Sequence, residues 1–193
     1  VKEPDREQIE ENLGDLHEFA SQVEVPIYFG LIPTAASVWK EKLPAGAPSA
    51  DEEKWIKWLY DRSDVENIDM VSTLKSHSDE EIYYRTDHHW TSLGACYGAN
   101  VILEAMNLKK LDMDNYTSRE VSHDFLGTNY SSAGAWWSKP DTITVYVQEE
   151  GKEVISNFTG REEEGRLYVE EKLDTKNQYS YFLGGNQPLC VIK

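Results

Sequence analysis

Hydrophobic positions at the start of the chain recur with the period of a helix. Ile9, Leu13, Leu16, Phe19 and Ala20 line one side of the segment 5–22, and acidic residues fill much of the rest, which predicts an amphipathic helix. The next run, Val23-Glu-Val-Pro-Ile-Tyr-Phe-Gly-Leu-Ile32, is mostly apolar and is closed by Pro33. A short apolar run after a helix predicts a buried strand, central in an α/β sheet. Pro44, Gly46 and Pro48 punctuate a loop. Ser49 or Asp51 is then placed to cap a helix that carries Trp55, Trp58, Leu59 and Arg62 on one side. That spacing reads the two tryptophans as core packing. A second strand is expected over 67–71, followed by a helix or turn to Ser78.

Helical spacing returns in Leu93, Cys96, Tyr97, Val101 and Ala105, with Thr91 or Ser92 as the cap. Beyond Leu108 the texture changes. Strand-like runs at 142–148, 154–158, 166–169 and 179–183 are separated by Gly and charged turns, and the acidic run Glu162-Glu-Glu164 reads as a solvated turn. The pattern divides the chain into an alternating α/β region, 1–110, and a β-rich antiparallel region, 111–193.

Charge narrows the function. Nineteen Lys and Arg against thirty-five Asp and Glu leave a net charge of −16 on 193 residues. Nucleic-acid binding draws most of its affinity from cations that displace counterions, so nucleic acid and anionic membrane surfaces are poor partners. Aromatic residues make up 11% of the chain, which opposes global disorder. Cys96 and Cys190 form no framework and read as two partly buried thiols. No apolar run is long enough to span a bilayer, and the first residue is Val1 rather than Met. The chain therefore reads as a trimmed piece, with any membrane contact expected through segments absent from it.

The densest chemical signal is Asp87-His88-His89-Trp90, on the turn that opens the helix beginning near residue 92. Asp87 and His89 are one residue apart, and a turn projects both into one site. A carboxylate bonded to imidazole Nδ1 fixes the tautomer, and the other nitrogen takes a proton from a hydroxyl nucleophile. Two other readings stand beside this dyad. The histidines of a helix start also cap, pack and hydrogen-bond. Alternatively, Asp87, His88 and His89 bind a metal, which requires further ligands such as His77 or His123; no HExxH pattern accompanies them.

The stretch Tyr83-Tyr-Arg-Thr-Asp-His-His-Trp-Thr-Ser-Leu-Gly-Ala95 resembles the signature of the bacterial DHHW protein family. Val25-Pro-Ile-Tyr-Phe29, Ile32-Pro33, Leu43-Pro44, Asp124-Phe-Leu-Gly-Thr128 and Phe182-Leu-Gly-Gly-Asn186 agree with it in order. That family is similar in turn to the SGNH-hydrolase-like domains of alginate O-acetyltransferases. The resemblance implies a flavodoxin-like three-layer core over 1–110, incomplete at the C-terminus, with 111–193 as a β-rich insertion leading back toward it. It also implies that Asp87 and His89 are the acid and base of a Ser-His-Asp triad, with no cofactor and no metal. His88, Trp90, Arg85 and Asn186 are candidate substrate or oxyanion contacts, although Arg85 reads more simply as a surface ion pair. The relatives' nucleophile follows an apolar strand in an Asp-Ser context, and this chain has no Asp-Ser dipeptide. Ser92 and Ser131 lie in surroundings that mark neither as activated.

The expected protein is thus a cell-envelope, extracytoplasmic acyl-ester enzyme, a polysaccharide O-acetyltransferase or esterase acting on an acylated glycan. This chain would lack the serine and be inactive alone. The alternative is a non-catalytic glycan- or protein-binding surface module, supported by Tyr130, Trp136 and Trp137, which either stack on sugars or pack under a loop.

Overall fold

The computed structural model describes residues 3–134, 136–148 and 153–193. The chain forms two compact units, one of Val1–Tyr83 with Leu93–Leu111 and the other of Tyr84–Ser92 with Asp112–Lys193.

The first unit begins with α1 (Arg6–Ser21), whose cap Asp5 accepts from the N–H groups of Glu7 and Gln8. β1 (Tyr28–Gly30) pairs in parallel with β2 (Glu66–Ile68). Parallel strands need a long crossover, and here it carries α2 (Ala35–Val38) and α3 (Glu52–Tyr60). The Tyr60 hydroxyl ties the two strand ends, accepting from Leu31 N–H and donating to the Ile68 carbonyl, both at 2.8 Å. α4 (Met70–Ser76) follows at once, capped by Asp69, and α5 (Ser92–Ala105) completes the helices. Val38, Ile56, Ile68, Met70, Leu74 and Ile82 are buried.

Two expectations change here. β1 is only three residues long and, among the described residues, has β2 as its single neighbour, so it is an edge rather than a central strand. Pro26 and Pro33 bound the run, and Val25 and Ile32 beside them are exposed. Proline donates no ladder hydrogen bond. In α3 the buried residue is Ile56, whereas both tryptophans are half-buried. Trp55 donates to Glu3 at 2.8 Å, and Arg6 and Arg62 lie over the Trp58 ring.

In the second unit, β3 (Thr117–Phe125) and β4 (Asp141–Val147) form an antiparallel pair joined through α6 (Thr128–Ala133). Register shifts between Glu120 and Ser122 and between Ser122 and Phe125 bend β3. β5 (Val154–Ser156) lies between β6 (Glu163–Glu164) and β7 (Cys190–Ile192), both antiparallel to it. Tyr84, Phe125 and Ile143 form a buried cluster with Val121, Tyr179 and Phe182 against it.

The strand expected over 142–148 is present as β4, and 154–158 is shortened to β5. Residues 179–183 are instead a 3₁₀ turn, Gln178–Tyr181, and 166–169 contributes only an isolated bridge, Tyr168 to Phe182. Glu163 and Glu164 of the expected turn pair with β5. Trp136 and Trp137 are 79% and 70% exposed, so they do not pack under a loop. Cys96 and Cys190 are free thiols. No helix among the described residues is long and apolar enough to cross a membrane.

Candidate active site

The irregular segment Tyr84–Ser92 is held by polar anchors. Asp141, the first residue of β4, is buried. Its carboxylate accepts from the N–H of Arg85 at 3.2 Å, and from the N–H and hydroxyl of Thr86 at 2.7 and 2.6 Å. The Thr86 hydroxyl accepts from Gly127 N–H at 3.1 Å, and the Thr86 carbonyl accepts from Tyr130 N–H at 3.0 Å. The residue preceding Asp87 is therefore clamped to both β4 and the start of α6.

Asp87 is buried, and both of its oxygens are used. Oδ2 accepts from the N–H and hydroxyl of Thr128, at 2.7 and 3.0 Å. Oδ1 accepts from the His89 N–H at 3.0 Å and, in a short bond, from His89 Nδ1. Burial pushes the Asp87 carboxyl up, but the hydrogen bonds outweigh it, led by the Thr128 and His89 N–H groups, and hold it at about 2. An ionised carboxylate can only accept, so the proton of the His89 ring sits on Nδ1. This leaves Nε2 unprotonated in neutral imidazole, and it has no hydrogen-bond partner among the described residues.

The close approach of α6 to Asp87 requires a residue without a side chain. A Cβ at Gly127 would overlap the Cβ and Oδ2 of Asp87. The Thr128 hydroxyl, having given its proton to Asp87, accepts from His88 Nδ1 at 2.6 Å. His88 itself points largely to solvent. The His89 side chain is 37% exposed, and its ring stacks on Tyr179 with centroids 4.0 Å apart and planes at 14°. Asp87, His89, Phe125, Tyr179, Lys176 and Asn186 are among the residues that line a cleft of about 700 Å³.

The structure thus brings Asp87, His89 and Asn186 to one cleft, with His88 beside it. Arg85 forms an ion pair with Asp141 at 3.2 Å and donates to the Pro140 carbonyl. Neither Arg85 nor the half-buried Trp90 lines the cleft. Gly185 N–H is already bonded to the Phe182 carbonyl, at 3.2 Å. Ser131 lines the cleft, but its hydroxyl faces the Gly127 carbonyl at 3.4 Å. Asp87, His88 and His89 bring one potential ligand atom each within 4.8 Å of one another. The Asp87 oxygens and both Nδ1 atoms are nevertheless engaged in hydrogen bonds, which suits orienting an imidazole more than presenting three vacant ligands. His77 stacks on Tyr97 beside Glu80, and His123 lies next to Thr142 and Glu120.

Comparison with known proteins shows the family and the fold. The profile of the family described as DHHW protein matches residues 18–193. The chain belongs to the DHHW family. A crystal structure of a family member from Eubacterium siraeum DSM 15702 superposes with a TM-score of 0.77 at 26% identity, covering 94% of this chain and 63% of that one. Bacillus cereus PatB1, solved with a sulfonyl adduct, gives 0.73 at 20% identity, over 97% of this chain and 65% of its own. The O-acetyltransferase domain of Pseudomonas putida AlgJ gives 0.57 at 17% identity, over 75% and 59%. The chain thus spans less than two thirds of each of these three structures, which share its mixed helix-and-strand fold. No curated protein matches it.

Thr128, Asp141 and Tyr179 carry the site without having been singled out from sequence. Thr128 ends the Asp124-Phe-Leu-Gly-Thr stretch that resembles the family, whereas Asp141 has no local signal at all.

Two predictions follow from this geometry. The folded value of Asp87, about 2, lies below the ordinary value of about 3.9. Its contribution is therefore fully present above the ordinary value and is lost as pH falls toward the folded one. The unfolding free-energy difference between wild type and Asp87→Asn should narrow by about 2 kcal/mol between about pH 5 and about pH 2; a constant difference contradicts the assignment. Gly127→Ala should lower stability in chemical denaturation by about 1–3 kcal/mol, and unchanged stability would show that α6 does not press on Asp87.

Proposed function

We propose that this chain is the base-bearing part of an SGNH-hydrolase-like acyl-ester enzyme. It acts outside the bacterial membrane, as O-acetyltransferase or esterase, on O-acyl groups of an envelope polysaccharide or other acylated glycan. The observation that carries this reading is the buried, ionised Asp87 bonded to Nδ1 of a half-exposed His89 beside a cleft. A hydroxyl nucleophile that reaches Nε2 gives its proton to His89 as it attacks the acyl carbonyl. The imidazolium that forms is stabilised by Asp87, and it returns the proton to the leaving alkoxide. Asn186 lines the same cleft and supplies a candidate amide donor to the oxyanion.

In this proposal, residues 1–110 belong to the α/β core, 111–193 form the β-rich insertion, and a serine outside these 193 residues completes the triad. Support comes from the length of the relatives and from the O-acetyltransferase domain of AlgJ among them. The sulfonyl adduct on PatB1 also fits, because sulfonyl groups are electrophiles that nucleophilic side chains capture.

A second reading, a non-catalytic glycan- or protein-binding module, is favoured by the exposed Trp136 and Trp137, set edge to face at 5.7 Å. Acetyl-ester hydrolysis by the longest natural form of the protein separates the two. His89→Ala should lower kcat by about 10²- to 10⁴-fold. Equal rates in both proteins would overturn the enzyme reading, and loss of polysaccharide binding in Trp136→Ala and Trp137→Ala with no turnover in wild type would establish the module.

A further inference from the structure

We infer that Tyr179 is a positioning residue for His89: its ring face holds the imidazole in line with Asp87 and receives the imidazolium when the proton arrives. Its catalytic consequence rests on the acyl-ester reading above, whereas the geometry does not.

A histidine ring tied by one Nδ1 bond retains freedom about its broad terminal torsion. A general base needs that freedom removed, because small misplacements of a reacting group are costly in rate. His89 has its hydrogen bond to Asp87 on one edge and the cleft on another, so the remaining constraint must come from a face. Tyr179 supplies it, nearly parallel to the imidazole at 4.0 Å. The His88 ring is close, at 3.9 Å, but tilted by 37° and largely exposed, so it is a poor brace.

Tyr179 is itself held from two sides. It lies in the 3₁₀ turn that begins at Gln178, and the buried Gln178 side chain donates to Asp124 Oδ1 at 2.8 Å and accepts from the Ser122 hydroxyl at 2.7 Å. These bonds lock the turn to the bent end of β3. The Tyr179 ring then packs against Tyr84 at 6.4 Å and 89°, Phe125 at 6.5 Å and Phe182 at 5.3 Å. Tyr84 precedes Asp87 by three residues, and Phe125 precedes Gly127 by two. The same aromatic cluster therefore sets the height of the carboxylate and of the ring that stacks on its partner. The negative face of an aromatic ring also attracts a cation above it, so the stacked ring can accommodate the imidazolium that forms in the transition state. This work belongs to the ring face, and the hydroxyl is dispensable.

The test combines side-chain NMR of this chain with kinetics of the longest natural form. Wild type should show nuclear Overhauser contacts between the Tyr179 and His89 rings and upfield-displaced His89 ring protons. Tyr179→Phe should keep both the displacement and kcat to within about twofold. Tyr179→Met should lose the displacement and lower kcat about tenfold, with KM changed less than about twofold. The inference is overturned if the Met variant keeps wild-type His89 resonances and kcat, or if Phe falls as far as Met. Should the Met variant not fold, the wild-type contacts decide alone, and their absence overturns the inference. No turnover in wild type would overturn the acyl-ester reading, and the NMR arm would still decide the stack.

Discussion

An ionised carboxylate is expensive to bury, and it persists inside a protein only when its oxygens are satisfied by donors. Asp87 meets that requirement with two donors from Thr128 and two from His89. Much of the second unit answers to this constraint. Glycine at 127 lets the chain approach, α6 begins at Thr128 so that its first N–H faces the carboxylate, and Asp141 at the start of β4 grips Arg85 and Thr86. Asp141 pairs opposite Phe125 in the sheet, and the Phe125 carbonyl lies 3.2 Å from the Thr86 hydroxyl. Sheet register and motif conformation are thus one arrangement. Its consequence is directional: the carboxylate engages His89 Nδ1, and Nε2 has no hydrogen-bond partner among the described residues.

How much of this was legible in sequence depended on how local each cause is. Asp51, one of the two caps that the sequence offers for α3, does cap it, because capping involves only the next few residues. The alternation over 142–148 became β4 for a similar reason, with Ile143 and Val145 facing inward. β3 gave no such signal: Thr117-Ser-Arg-Glu-Val-Ser-His-Asp-Phe125 is mostly exposed, and two register shifts break the two-residue period. The aromatic run at 179–183 imitated a strand, yet Tyr179 and Tyr181 serve different neighbours from a 3₁₀ turn, one on His89 and the other on Tyr168.

The candidate site shows the same division. Asp87 and His89 were visible because two residues one position apart share a turn whatever the fold does elsewhere. Thr128, Asp141 and Tyr179 come from 41 to 90 positions further on and enter through tertiary contacts. The acidic surface, with its net charge of −16, does not extend into the cleft wall. The carboxylate there, Asp87, is paired with His89, and Lys176 stands on the same wall. Exposed ion pairs such as Arg6–Glu10 and Lys57–Asp61 add little stability. The excess charge is a property of the exterior, and the geometry of the candidate site depends on one buried carboxylate, Asp87.

The most direct test of that dependence is proton NMR of the ring N–H of His89. The structure predicts a far-downfield Nδ1–H resonance, correlated to the His89 ring nitrogen, that disappears in Asp87→Asn. Its absence from the wild-type spectrum, or its persistence in the variant, would contradict the account.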